Sequence, residues 1–219
     1  MGRSFSWEAF NRIPVVGILR NVPLAKIKVL AGLYEESGLT TLEITMNSAG
    51  ATETIAHLCS KFDNTLNIGA GTVCTAEDLE QALSAGATFV VTPILNEDVI
   101  KACVTKKVPV FPGAYTPTEI YKAWSLGAEM VKVFPATRLG SSYIKDVLAP
   151  LPYLKLLPTG GISFENFTEF LQAGAKGLGI GSTLFPPGLI EQGSWDELNK
   201  LFVSFVKKFE EYNKLSQTI

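Results

Sequence analysis

Stretches with apolar residues at helical spacing alternate along this chain with short β-branched or aromatic runs. An apolar stripe at that spacing predicts a helix packed on a core by one face. The junction between the two patterns repeats. A helical stretch ends in glycine, often followed by alanine, and a strand begins almost at once, at Gly38, Gly86, Gly127 and Gly174. Glycine just past a helix end takes the left-handed cap conformation, and so short an αβ loop belongs to an α/β unit. Eight strands are predicted, over 15–19, 41–46, 67–72, 89–92, 108–112, 130–134, 155–158 and 177–180. Thr116-Pro117-Thr118-Glu119 is a capping box with proline at the first helical position. Ser194-Trp195-Asp196-Glu197 opens a last helix whose stripe is Leu198, Leu201, Phe202, Phe205 and Phe209. A short helix at Trp7–Arg12 precedes the first strand.

Eight strands alternating with helices make either a (β/α)8 barrel or an open, doubly wound sheet. Polar, glycine or proline residues stand at the C-terminal end of nearly every strand: Arg20, Glu43 with Thr45, Gly71-Thr72, Thr92-Pro93, Pro112-Gly113, Phe134-Pro135, Thr159-Gly160-Gly161 and Gly181-Ser182. A barrel builds its site on that face from all its strands. An open sheet concentrates its site near one switch point, usually with a glycine fingerprint after strand one. Here strand one ends Gly17-Ile18-Leu19-Arg20, without that fingerprint. The prediction is therefore α/β, a (β/α)8 TIM barrel with a short N-terminal helix, as a single domain over 1–219.

Composition narrows the function. The chain has 219 residues, 47% hydrophobic and 18% charged, with a formal net charge of −2. That balance carries no electrostatic footprint for nucleic acid or an anionic membrane surface. No apolar run reaches the ~18 residues of a membrane span, and the opening M-G-R-S-F-S-W lacks the apolar core of a leader. Cys59, Cys74 and Cys103 are odd in number and form no C-x-x-C pair, so reduced cysteines in a cytoplasmic protein are expected. His57 is the only histidine and falls on the polar side of its helix, where solvent is expected to reach it. One histidine and no cysteine pair argue against an ordinary zinc site.

The segment 129–136, E-M-V-K-V-F-P-A, is a strand with one lysine at its centre. Alternation puts Lys132 on the face of Met130 and Phe134, with Val131 and Val133 opposite. In T-T-L-E-I-T-M, Thr41, Glu43 and Thr45 share one face and Leu42, Ile44 and Met46 the other. In a barrel the first set faces the axis. An inward carboxylate is costly unless paired or working, so Glu43 is either a structural ion pair with Lys132 or Arg20, or a general acid/base beside Lys132. A free lysine is neutral about once in 2,500 molecules at pH 7. Desolvation and a nearby cation, for which Arg20 is the candidate, raise that fraction toward what Schiff-base chemistry needs. Glycine-rich Thr159-Gly160-Gly161-Ile162 and Gly179-Ile180-Gly181-Ser182 end the last two strands, where barrels frequently bind phosphate. Small Gly69-Ala70-Gly71-Thr72 is expected to leave room for a ligand. Together these residues describe a phosphorylated carbonyl compound lying across a barrel mouth.

At this level the chain resembles the class I 2-keto-3-deoxy-6-phosphogluconate (KDPG) aldolases, grouped with the 4-hydroxy-2-oxoglutarate (KHG) aldolases. The resemblance covers nearly the whole length. It rests on G-I-L-R at 17–20, L-E-I-T at 42–45, G-A-G-T-V at 69–73, V-T-P at 91–93, P-G-A-Y-T-P-T-E at 112–119, K-V-F-P-A at 132–136, P-T-G-G-I at 158–162 and G-I-G-S at 179–182. It implies Lys132 as the Schiff-base lysine and Glu43 as the general acid/base. It further implies Thr72, Pro93, Phe134 and Thr159 around the pyruvate moiety, with Gly160, Gly161, Gly181 and Ser182 at the phosphate. A lyase without cofactor or metal, acting as a cytoplasmic homotrimer on a small 2-keto acid phosphosugar, is what such a resemblance implies. Many members carry arginine where this chain has Asn47. The related 2-keto-3-deoxy-6-phosphogalactonate aldolases carry asparagine there in a similar Asn-Ser pair, which leaves the C4 epimer open and Arg20 as the substrate-anchoring charge. A phosphate-binding barrel isomerase or epimerase using Glu43 as base, and a non-catalytic sugar-phosphate sensor, are the rival readings.

Overall fold

The structure is a computed structural model, described here for residues 4–216. Strands β1 (Val15–Leu19), β2 (Thr41–Thr45), β3 (Asn67–Gly71), β4 (Val90–Val91) and β5 (Val110–Phe111) run parallel, and β9 (Leu178–Ile180) flanks β1. The order across that sheet is β5-β4-β3-β2-β1-β9. A second parallel sheet joins β6 (Gly113–Ala114), β7 (Val131–Val133) and β8 (Leu156–Pro158). The sheets approach each other twice: Pro112 links β5 directly to β6, and a parallel bridge joins Thr159, just after β8, to Gly179 of β9. The α/β class and the parallel pairing agree with the sequence pattern. The strand expected to end at 112 instead continues as β6, whose partner is β7. Proline has no N–H for the ladder; here the Pro112 carbonyl accepts from Lys132 N at 2.9 Å.

Helices α2 (Leu24–Glu36), α3 (Ala51–Lys61), α4 (Ala76–Ser84), α5 (Glu97–Lys106), α6 (Pro117–Ser125), α7 (Gly140–Leu148), α8 (Phe167–Gln172), α9 (Pro187–Gln192) and α10 (Trp195–Ser216) follow the strands, after α1 (Trp7–Arg12). The four repeating glycines all have positive φ, from 95° at Gly38 to 104° at Gly174, the left-handed cap that turns each helix back into a strand. Thr116 and Glu119 form the expected capping box, and Thr75 with Asp78 forms another at α4. On α10, Leu198, Phe202, Phe205 and Phe209 are buried and Leu201 partly so.

Strand alternation divides the core into two layers. Leu42, Ile44, Val131 and Val133 belong to the layer shared with helix residues such as Ile27, Leu30, Ile55 and Leu58. The opposite strand faces carry a separate cluster of Val16, Val91, Phe111, Met130 and Leu157, together with Phe89 just ahead of β4. Phe5 and Phe10, brought in by α1, complete this cluster; Phe5 meets the Phe89 ring edge-on at 5.2 Å. Asn67, at the start of β3, holds the entry to α1 by accepting from Ser6 N at 2.7 Å and donating to Ser6 O at 3.0 Å. The N-terminal helix therefore plugs the end of the interior where the strands begin.

His57 departs from its expected place: it is half-buried, and among the described residues its buried Nε2 has no hydrogen-bond partner. Among the described residues the cysteines form no disulfide, and burial pushes the Cys103 thiol up to about 12. Phe10 is fully buried at the centre of the aromatic plug. Phe10→Ala should lower unfolding free energy by about 3–5 kcal/mol through lost burial and an uncollapsed cavity, read as a lower urea midpoint.

Candidate active site

Chemistry gathers at the other end of the interior, where the strands finish. Glu43 lies at the centre of β2, in register with Ile18 of β1 and Gly69 of β3, and is 1% exposed. Its side chain occupies the space left by Gly71, where any Cβ would overlap the carboxylate. A Cβ on Gly69 would likewise overlap the Phe89 ring. The small residues of β3 thus admit Glu43 and Phe89, not a ligand as the sequence suggested. Thr41 and Thr45, on the same face of β2, are fully buried. Asn67 Nδ2 donates to Thr41 Oγ1 at 3.2 Å, and the Thr45 and Ser48 hydroxyls pair at 2.9 Å.

Lys132 is the middle residue of β7, in register with Gly113 of β6 and Leu157 of β8, and is 4% exposed. Its Nζ stands 4.8 Å from the centroid of the Phe134 ring, within cation–π range. Among the described residues it makes no direct ion pair with Glu43. The two still sense each other. Burial pushes the Glu43 carboxyl up, while Lys132 and then Arg20 draw it back down. Burial pulls the Lys132 ammonium down; Glu43 opposes that, Arg20 reinforces it and Cys74 opposes it. Desolvation leads in both groups, so each is driven toward its neutral form.

A cleft of about 630 Å³ opens at this end. Of the residues singled out from sequence, Arg20, Lys132, Phe134, Thr159, Gly160, Gly161, Gly181 and Ser182 line it. Glu43, Asn47, Thr72 and Pro93 do not. Glu43 sits behind the lining, against Gly71. Thr72 follows directly and holds φ of 56°, a region that a β-branched side chain occupies only at a cost. Pro93 is half-buried beside Gly113, where a Cβ would overlap the Pro93 carbonyl. Asn47 is exposed in the turn after β2.

The two glycine-rich loops are stitched together. Thr183 Oγ1 donates to the Ile162 carbonyl at 2.5 Å, and Asn166 Nδ2 to the Gly161 carbonyl at 2.9 Å. Gly160 and Gly161 have φ of 97° and 73°, which turns their peptide groups as an L side chain could not easily do. The N–H groups of Gly161 and Ser182 donate to no protein acceptor among the described residues. The helix that follows, α9, has Pro186 as its N-cap and Pro187 as its first residue, which removes two of the N–H donors at its start.

Sequence reasoning passed over several residues here. Thr92 is fully buried, donates to the Ile94 carbonyl at 2.5 Å and accepts from Gly113 N at 3.2 Å, which fixes the Pro93 loop against β6. Lys26 lines the cleft and donates to the Ile190 and Glu191 carbonyls at 2.9 and 3.0 Å. Ile18, Val22 and Phe185 add apolar walls. Thr92 and Lys26 act through partners 21 and 164 residues away, so no local pattern marks those contacts. Among the described residues, no three His, Cys, Asp or Glu side chains converge as a metal site, and no helix is long and apolar enough to cross a membrane.

This geometry has counterparts. The chain is 30% identical over 206 residues to the 2-dehydro-3-deoxy-6-phosphogalactonate aldolase of Escherichia coli, covering 94% of this chain and 98% of that one. It is 35% identical over 195 residues to the 2-dehydro-3-deoxy-phosphogluconate aldolase of Haemophilus influenzae, covering 89% and 92%. Its structure superposes on the Legionella pneumophila KDPG aldolase, with pyruvate captured as a covalent carbinolamine, at a TM-score of 0.83, 27% identity and 90% and 96% coverage. The family model described as "Aldolase: KDPG and KHG aldolase" matches residues 8–201. With its lysine and glutamate buried at the mouth of a parallel α/β fold, this chain belongs to the KDPG and KHG aldolase family of lyases.

Proposed function

We propose that the chain is a Schiff-base aldolase that cleaves 2-keto-3-deoxy-6-phosphogluconate to pyruvate and glyceraldehyde 3-phosphate. The observation that carries this reading is the burial of Lys132 and Glu43 in the two sheets of one interior, with desolvation driving both toward neutrality. The bridge between Thr159 and Gly179 and the continuity through Pro112 support reading the two sheets as one closed eight-stave barrel, a single domain whose mouth is the site.

Neutral Lys132 attacks the C2 ketone to form a carbinolamine. Glu43, protonated, gives its proton to the departing hydroxyl, and water leaves an iminium. The resulting carboxylate takes the proton of the C4 hydroxyl as the C3–C4 bond breaks. The bonding pair moves into the iminium to give an enamine, and the aldehyde departs. Protonation of the enamine at C3 and hydrolysis of the imine release pyruvate and the free amine. The iminium is the electron sink, so an amine suffices for the carbon–carbon cleavage. Glu43 lies behind the cleft lining, and a water in the cleft would relay its proton.

Phe134 packs on the amine, Thr72, Pro93 and Thr159 surround the pyruvate moiety, and Arg20 anchors the substrate's acidic groups. The unengaged N–H groups of Gly161 and Ser182 suit phosphate oxygens, with Gly160 and Gly181 allowing close approach. Asn47 favours a second reading, the galactonate epimer as preferred substrate. Comparing kcat/KM on the two C4 epimers decides it: the larger value names the substrate. Exposed Ile94, Tyr115 and Tyr121 supply apolar surface for the homotrimer that the family resemblance implies.

Incubation with pyruvate and sodium borohydride, followed by peptide mass analysis, should show a reduced pyruvyl adduct on Lys132. Absence of the adduct from folded protein would favour an isomerase in which Lys132 is only a cation. Lys132→Ala should abolish turnover with the fold retained. Glu43→Gln should lower kcat by roughly 10²–10⁴-fold, the range of general acid–base catalysis. Because Glu43 raises the Lys132 pKa, the same substitution should move the acid limb of pyruvate imine formation to lower pH. A shift to higher pH would remove Glu43 as the charge that Lys132 senses.

A further inference from the structure

Beyond Lys132 and Glu43, the mouth contains a clamp between the loops after β1 and β2. Asn21, the residue after Arg20, has φ of 53°, a left-handed conformation that asparagine tolerates better than most residues but still at some cost. Its backbone N–H donates to Ser48 Oγ at 2.9 Å. The Ser48 hydroxyl also pairs with Thr45 Oγ1 at 2.9 Å, and Ser48 N donates to the Thr45 carbonyl at 3.0 Å. Thr45 is fully buried at the end of β2, two positions beyond Glu43 on the same face. A rigid strand end thus holds Ser48, and Ser48 holds the backbone at Asn21.

The consequence falls on Arg20. An arginine side chain at a loop's start loses much rotamer freedom when it binds an anion, and a wandering backbone would add to that loss. Arg20 is exposed yet lines the cleft, and among the described residues it has no carboxylate partner. Among the described residues no ion pair fixes its guanidinium, so the local backbone matters for where it points. Asn47, the neighbour of Ser48, is exposed and lines no part of the cleft, so the turn after β2 meets the cleft rim through the bond from Ser48 to the β1 loop.

We infer that Ser48 is a positioning residue for substrate recognition: it locks the Arg20–Asn21 turn against the end of β2, so that Arg20 presents its guanidinium to an anionic group of the substrate. This rests on the proposed role of Arg20 in binding the phosphorylated keto acid and adds the device that orients it. Ser48 touches no reacting atom and meets the imine chemistry at Lys132 only through the charge of solvated Arg20, which ranks there behind burial and Glu43.

The test is a double-mutant cycle on the full chain, using Ser48→Ala, Arg20→Ala and the pair. The cycle is read with the preferred phosphorylated hexonate and, separately, by the rate of borohydride trapping with pyruvate. Ser48→Ala should raise KM roughly three- to tenfold, the scale of one lost hydrogen bond, with kcat and the trapping rate within twofold of the parent. In the Arg20→Ala background the same change should alter KM by less than twofold, since the residue it orients is gone. A KM unchanged by Ser48→Ala while Arg20→Ala raises it would overturn the positioning role and leave that of Arg20 standing. Equal effects of Ser48→Ala in both backgrounds, or a matching fall in the trapping rate, would make Ser48 merely structural and overturn the inference. Arg20→Ala without effect on KM would remove the role of Arg20 and the clamp's purpose together.

Discussion

An amine and a carboxyl group buried in one apolar interior are the constraint on which this structure turns. Desolvating either charged form costs several kcal/mol, and each group escapes by shifting toward neutrality. Lys132 and Glu43 stand on strands that are apolar on their other face, inside a closely packed scaffold. Arg20 at the rim lowers both pKa values from a solvated position. Its charge favours a neutral amine and an ionised carboxyl, whereas burial favours neutrality in both. The balance between those influences sets how far each group is neutral.

The remaining architecture keeps that pair dry on one side and open on the other. Phe5, Phe10, Phe89 and Phe111 fill the end of the interior where the strands start, which leaves the cleft at the other end as the way in. Glycines serve this division by being absent side chains: Gly71 makes room for the Glu43 carboxylate and Gly69 for the Phe89 ring. Each is a close approach of one strand's side chain to its neighbour's backbone, and each fixes a side chain in a single position. Thr92, Thr183 and Ser48 then tie one loop to the next across the mouth. The rim of the cleft is thereby assembled from loops that are individually short.

Alternation made Glu43 and Lys132 legible, because a charge in an otherwise apolar strand has few bland explanations once its face is known. The same reasoning misjudged Gly69 to Thr72, since smallness alone does not say whether a ligand or a neighbouring side chain fills the space. Pro112 was readable as a strand end only so long as its partners were unknown; once β6 is seen beside β7, the chain is found to carry on past it. His57 was placed in solvent from its helix face, whereas its Nε2 is buried. Thr92 was legible only as a polar strand end, and Lys26 carried no local signal at all.

By itself, then, the sequence determined the periodic features: the order of helices and strands, the glycine caps, the faces of β2 and β7, and the residue types that Schiff-base chemistry needs. These are properties of neighbours along the chain, where a period of 2 or 3.6 and a cap residue suffice. Only the tertiary structure decided which groups meet. It put Glu43 behind the cleft and Asn47 outside it, filled the β3 glycines with side chains, and joined Asn21 to Ser48 across 27 residues. Contacts of that kind depend on register and packing between strands distant in sequence, and no local pattern of residues encodes them.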